Sequence, residues 1–155
     1  MRECRWSGGS PASKFGRVSS SENKQFVEQI FRQLAQGNSG ALGAAMAEEC
    51  RWVFPGNWSW SGVWEPRSAV LEGLLRPLAG QFADGYRNEA DFVLADGDRV
   101  VVQARGYATT TDGEPYHQTY CFIFRIADGR IVEIIEHCDT ALVERVLKPL
   151  TPSAR

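Results

Sequence analysis

The chain has little of what builds metal and disulfide sites. Two histidines and four cysteines occur in 155 residues. Cys4, Cys50, Cys121 and Cys138 are scattered without close-pair spacing, which fits neither a zinc site nor a dense disulfide framework. No His/Asp/Glu cluster stands at ligand spacing, so no metal is expected, and the thiols are read as reduced and mostly buried. No apolar run approaches the ~20 residues of a membrane span, and MRECRWSGGSPASKFGRVSS lacks the apolar core of a secretory signal. The expected location is the cytoplasm, with no membrane partner. The net charge is -2 with no block of one sign, which argues against a nucleic-acid partner and for a small neutral one.

What is present is a strong strand pattern between Gly113 and Asp139, GEPYHQTYCFIFRIADGRIVEIIEHCD. Tyr116 to Ile126 alternates at period two, Ala127-Asp128-Gly129-Arg130 supplies a turn, and Ile131 to His137 resumes the alternation. Side chains on a strand point to opposite faces in turn. Tyr116, Gln118, Tyr120, Phe122 and Phe124 therefore share one face, and His117, Thr119, Cys121, Ile123 and Arg125 the other. Val132, Ile134 and Glu136 fall together on the return strand, which leaves one carboxylate at the end of an aliphatic row.

The length suits a single domain with a core of its own. Residues 1-18, rich in Ser, Gly, Arg and Lys, are expected to be a flexible tail, 19-149 the domain and 150-155 a second tail. Ser19 and Glu22 form a capping-box pattern ahead of Phe26, Val27, Ile30, Phe31 and Leu34 at helical spacing. A second short helix is expected over Ala41 to Glu48, a strand over Cys50 to Phe54, and an aromatic loop holding Trp58, Trp60 and Trp64. A third helix spans Arg67 to Phe82, with Pro77 as a kink. Strands then run from Tyr86 to Ala95, from Arg99 to Thr109 and through the hairpin, before a last helix capped by Asp139. Helices followed by strands spell an α+β fold, with the helices on one face of a curved sheet.

Trp52-Val53-Phe54-Pro55, Gly113-Glu114-Pro115-Tyr116 with Gln118 and Tyr120, and Phe124-Arg125 followed by Asp128-Gly129-Arg130-Ile131 and Glu136 to Asp139 carry a resemblance. Over roughly Glu22 to Leu147 the chain resembles the nuclear transport factor 2-like superfamily, and within it the SnoaL-like group with polyketide cyclases, ketosteroid isomerases and limonene epoxide hydrolase. The resemblance implies a cone-shaped α+β barrel: three N-terminal helices packed in a curved, mainly antiparallel sheet, a short C-terminal helix, an apolar internal cavity and a homodimer formed through the outer sheet face. Ketosteroid isomerase carboxylates are replaced here by Phe54 and Phe122, and no tyrosine occurs in the first helix. Of the acid-arginine-acid set of limonene epoxide hydrolase, Arg105 and Asp139 match while Tyr107 replaces the strand acid. The acid on the last strand of SnoaL-type cyclases is matched by Glu136.

The pocket-facing rows are expected to hold Gln103, Arg105 and Tyr107, then Tyr116, Gln118 and Tyr120, then Ile134 and Glu136. Trp52, Phe54, Trp64, Phe82, Tyr86 and Phe122 would supply apolar walls. A carboxylate among aromatics loses hydration and exchanges protons nearer neutrality. Glu136 is then the expected acid-base residue, with Tyr120, Arg105 and Asp139 as further catalytic candidates. The plainer readings are an ion pair of Glu136 with Arg105, a helix cap for Asp139 and wall tyrosines with satisfied hydroxyls. Two functions follow: cofactor-free isomerase, cyclase or dehydratase chemistry on a small polycyclic, terpenoid or polyketide-like molecule, or a non-catalytic binding or dimerisation module. Epoxide opening by Arg105 and Asp139 is the further alternative. An apolar outer face around Val100, Val102, Ala104, Cys121 and Ile123 is the expected dimer contact.

Overall fold

Ser19 and Glu22 do close a capping box on the first helix, α1 (Ser20–Ala35): the Glu22 amide donates to Ser19 Oγ at 3.2 Å, and the Ser19 amide donates to Glu22 Oε2 at 2.8 Å. This is the start of what a computed structural model describes over residues 18–150; the expected tails lie almost wholly outside those residues. α1 buries Val27, Ile30, Phe31 and Leu34 on one stripe. A short α2 (Gly40–Ala45) follows, and the chain enters β1 (Met46–Phe54) four residues earlier than the Cys50 start expected from sequence. Gly62–Trp64, expected as loop, forms a short strand β2 paired antiparallel with β1.

The third helix is continuous over residues 67–79 but changes register midway: Arg67–Ala69 is α-helical, Val70–Leu75 is a π-helix, and Arg76–Ala79 returns to α. Pro77 explains the change. It has no N–H to give the carbonyl four residues back, and the wider π turn, in which the Arg76 amide reaches Leu71 O, takes up the defect.

Strands β3 (Arg87–Asp96), β4 (Arg99–Thr109), β5 (Pro115–Ala127) and β6 (Arg130–Cys138) complete the sheet. The β5–β6 turn is the Asp128-Gly129 pair, both residues at positive φ, the conformation that suits the right-handed twist of a two-residue hairpin. The strand order is β2-β1-β6-β5-β4-β3. β1 runs parallel to β6, a pairing the sequence did not announce, and the other neighbours are antiparallel. A C-terminal helix, Thr140–Val146, closes the described chain, with Asp139 as its N-cap.

Three parts of the expected architecture are corrected. The sheet is open, not a barrel: β2 and β3 are its edges and do not pair with each other. Closure requires edge strands long enough to share a ladder, and β2 has only three residues. Helices fill the space instead, with α1 against β3 and β4. Nor do three helices precede the sheet, since the 67–79 helix follows β1 and β2.

The third correction concerns β4. Its inward residues are Val100, Val102, Ala104, Gly106 and Ala108, whereas Gln103 and Arg105 are exposed and Tyr107 is half-buried. Directly opposed residues of a ladder share a face. Ala104 opposes Tyr120 and Gly106 opposes Gln118, so Gln103, Arg105 and Tyr107 stand beside Cys121, Thr119 and His117 on the outer face. Small inward residues on β4 leave room for the large ones on β5.

Candidate active site

Two strand residues, Trp52 on β1 and Glu136 on β6, meet at the heart of the inner face. The parallel register sets Trp52 beside Ile134, next to Glu136 on the same face, and Trp52 Nε1 donates to Glu136 Oε2 at 3.0 Å. Glu136 is 8% exposed, and among the described residues no cation pairs with it. Burial pushes its pKa up to about 8, against the lesser opposing effect of the hydrogen bonds from Trp52 and the Cys138 thiol. Burial and the neighbouring Glu136 in turn push the Cys138 thiol well above its ordinary value.

Glu136 opens into a cavity of about 490 Å³. Its sheet wall is Trp52, Phe54, Tyr116, Tyr120 and Phe122, and its helical wall is Leu71, Leu74, Leu75 and Leu78 from the π-containing helix. Phe82, Tyr86 and Asn88 line one side, and Trp58 and Trp60 another. The two tryptophans stack at 6.5 Å, and the Trp58 indole N–H donates to Pro55 O at 3.0 Å. Ser59 N donating to Glu144 ties this loop to the C-terminal helix.

Beside Glu136 stands a cluster of phenols. Tyr86 Oη donates to Tyr120 Oη at 2.7 Å, the Tyr116 and Tyr120 hydroxyls are 3.3 Å apart, and Asn88 Nδ2 donates to Tyr86 Oη at 3.2 Å. Desolvation raises all three phenol pKa values, so the cluster is neutral. Gly106 makes the packing feasible: a Cβ there would lie 2.3 Å from Tyr86 Oη and 2.9 Å from Tyr120 Cε2.

The cavity thus gathers Trp52, Phe54, Phe82, Tyr86, Tyr116, Tyr120, Phe122 and Glu136 from the residues read in the sequence. Others are elsewhere. Ile134 is fully buried behind the wall, and the Trp64 ring packs on Gly73, where a Cβ would sit 3.0 Å from Cζ3. Gln118, 1% exposed, is a clamp: its Oε1 accepts from Asp139 N at 2.8 Å and its Nε2 donates to Asp139 O at 3.0 Å. Asp139 caps the C-terminal helix, accepting from Leu142 N at 3.1 Å. Arg105 pairs with Asp91 on the outer face through Nε at 2.9 Å and Nη2 at 2.6 Å. Arg105 and Asp139 therefore do not form an epoxide-opening set, Arg105 does not neutralise Glu136, and Gln103 and Tyr107 do not line this cavity. Asn88 and Cys138 were not singled out from sequence, although each lies two residues from a wall residue, Tyr86 or Glu136, and strand parity carried the signal.

Among the described residues no group of three His, Cys, Asp or Glu side chains could hold a metal ion, and no helix is long and apolar enough to cross a membrane.

The chain belongs to the SnoaL-like family: the model of the SnoaL-like domain matches residues 27–134. It is similar in fold to an NTF2-like protein of unknown function from Burkholderia pseudomallei, at 23% identity and a TM-score of 0.69 over 84% of this chain and 99% of that one. Bal32a, from a soil-derived mobile gene cassette, is similar at 21% identity and a TM-score of 0.70, over 83% and 98%. A protein provisionally assigned as a SnoaL-like polyketide cyclase, from Jannaschia sp. CCS1, is similar at 20% identity and a TM-score of 0.68, over 90% and 97%. No curated protein matches the sequence.

Proposed function

We propose that the chain binds a small hydrophobic molecule, of polycyclic, terpenoid or polyketide-like character, in this cavity and moves a proton on it with Glu136, without a cofactor. The observation that carries the reading is a cavity-lining carboxyl with no cationic partner, held near pH 8 by burial. Such a group is protonated in most molecules at neutral pH yet keeps a usable ionised fraction, the condition for both giving and taking protons. Isomerisation, cyclisation and dehydration all need that exchange. The apolar walls support binding by area, and Trp52 fixes the carboxyl's orientation.

The test is a thermal-shift screen of steroids, terpenoids, polyketide-like phenols and aromatic ketones, followed by turnover assays of whatever binds. Glu136→Gln is expected to bind the same ligands and to lose turnover by about a hundredfold or more. Ligands turned over equally by both proteins would remove Glu136 from the chemistry; ligands bound but never transformed would favour a binding module.

We further infer pairing with a second copy through the outer sheet face. Val63, Val53, Ile135, Ile123, Val101 and Leu94 are successive cross-strand partners, an aliphatic row running from one sheet edge to the other. Val63 is 49% exposed, Leu94 61% and nearby Phe92 47%. Beside it runs a charged row, Arg51, Glu133, Arg125, Arg99 and Asp96, of mixed sign, which suits a two-fold contact with itself. This row replaces the sequence expectation, since Val100, Val102 and Ala104 face inward and only Cys121 and Ile123 of that set face out. Analytical ultracentrifugation is expected to show a dimer at micromolar concentration and a monomer for Ile123→Asp; a monomeric wild type would overturn the pairing.

A further inference from the structure

On the outer face, beside the aliphatic row, register sets a thiol against an imidazole. Cys121 on β5 directly opposes His137 on β6, and opposed residues share a face with Cβ atoms about 4.5–5.5 Å apart. Cys121 is a free, half-buried thiol and His137 is exposed. Among the described residues no ion pair engages His137. Neither residue lines the cavity. The pair is half of a tetrahedral metal site, and one copy of the chain offers no third ligand among those residues.

The symmetry of the sheet supplies the other half. In the strand order β2-β1-β6-β5-β4-β3 the middle falls between β6 and β5. The midline of the sheet therefore passes between Ile135 and Ile123, and then between His137 and Cys121. A two-fold axis along this midline lays the aliphatic row on itself, Ile135 on Ile123 of the second copy and Val53 on its Val101. The charged row also meets itself, with Glu133 against Arg125 of the second copy. An axis along the row would instead set those charges against Phe92, Gln103 and Cys121, which form the next row. With the axis on the midline, His137 of each copy faces Cys121 of the other.

We infer that two copies hold one zinc ion between their outer faces, through Cys121 and His137 of each. The proposal rests on the outer-face pairing and adds an ion to it. Packed sheets stand about 10 Å apart, so an ion midway lies about 5 Å from each, within reach of an imidazole and of a thiolate bonded at about 2.3 Å. The two thiols give up their protons to solvent on binding, and the ion stabilises the dimer rather than reaching the cavity.

The probe is cobalt(II), titrated into the metal-free full chain under a reductant that does not bind metals. It is expected to show the strong visible bands of a tetrahedral ion and a near-ultraviolet sulfur-to-cobalt charge-transfer band, saturating at one ion per two chains and bleached by zinc. In sedimentation, zinc is expected to tighten the dimer by about tenfold or more over chelator-treated protein. Cys121→Ala is expected to abolish the charge-transfer band, His137→Ala to weaken cobalt binding by about tenfold or more, and Cys4→Ser to keep both. A dimer that gives only the pale spectrum of an octahedral ion, that binds one ion per chain, or whose charge-transfer band survives Cys121→Ala would overturn the site and leave the pairing. A monomer with and without zinc would overturn both. The wild-type spectrum and stoichiometry decide the matter even where a variant does not fold.

Discussion

Glu136→Gln is expected to make the protein more stable than the wild type at pH 9 and no more stable at pH 4. The sign follows from proton binding. In the unfolded chain the carboxyl ionises near 4.5, whereas in the fold it holds its proton to about 8. Below the lower value both states are protonated and burial costs nothing extra. Between the two values the unfolded chain has released the proton and the folded chain has not, so stability falls as pH rises. Above about 8 the loss is complete, on the order of 4 to 5 kcal/mol from this one group. Glutamine keeps an acceptor for Trp52 Nε1 and has no charge to bury. Urea unfolding of both proteins from pH 4 to 9 measures the difference: two curves that separate through this window agree with the account, and parallel curves would show that Glu136 ionises normally in the fold. The effect is large beside the 5–15 kcal/mol of a typical domain.

Gly106→Ala is the second large effect. Gly106 is not in the left-handed region of φ; what makes it necessary is space. The added methyl carbon would meet Tyr86 Oη at 2.3 Å, and Tyr86 Cε2 and Tyr120 Cε2 at 2.9 Å. Retreat of either ring toward the cavity disturbs Phe82, which stacks on Tyr86 at 5.5 Å and packs on Tyr116 at 5.2 Å. Overpacking of this kind costs about 1–3 kcal/mol, and loss of the Tyr86–Tyr120 hydrogen bond adds about 1 kcal/mol. Since the nearest atom is the Tyr86 hydroxyl, Tyr86→Phe should recover part of the loss, a coupling of roughly 1 kcal/mol in a double-mutant cycle of denaturation midpoints. A Gly106→Ala protein as stable as the wild type, or strictly additive effects, would show that the phenols do not rest on this glycine.

These two residues also mark what the sequence discloses. Glu136 was legible because strand parity puts it in one row with Val132 and Ile134, so an acid at the end of an aliphatic row stands out, and the Asp128-Gly129 turn fixes its partner strand. α1 was legible for a similar reason, with a capping box and an unbroken apolar stripe. β4 was not. Val100, Val101 and Val102 are apolar on both faces, so its own period is ambiguous, and Gln103, Arg105 and Tyr107 look like chemistry. Only the register with β5, set beyond the Asp112-Gly113 turn, assigns them to the outer face and gives Gly106 its meaning. The parallel β1–β6 pairing joins segments about eighty residues apart, and no local pattern encodes it. The open sheet has the same origin: helical periodicity announced the helices, while whether the edge strands meet depends on the length of β2, which reads as loop.

Glu136 is expected to carry a proton inside the cavity at neutral pH. Carbon-13 NMR of protein labelled at the glutamate side-chain carboxyls, with the Glu136 signal assigned by its absence in Glu136→Gln, follows that proton directly. The expected titration midpoint is near 8, apart from the other glutamates; a midpoint below 5 would mean that the carboxyl is ionised in the cavity at neutral pH.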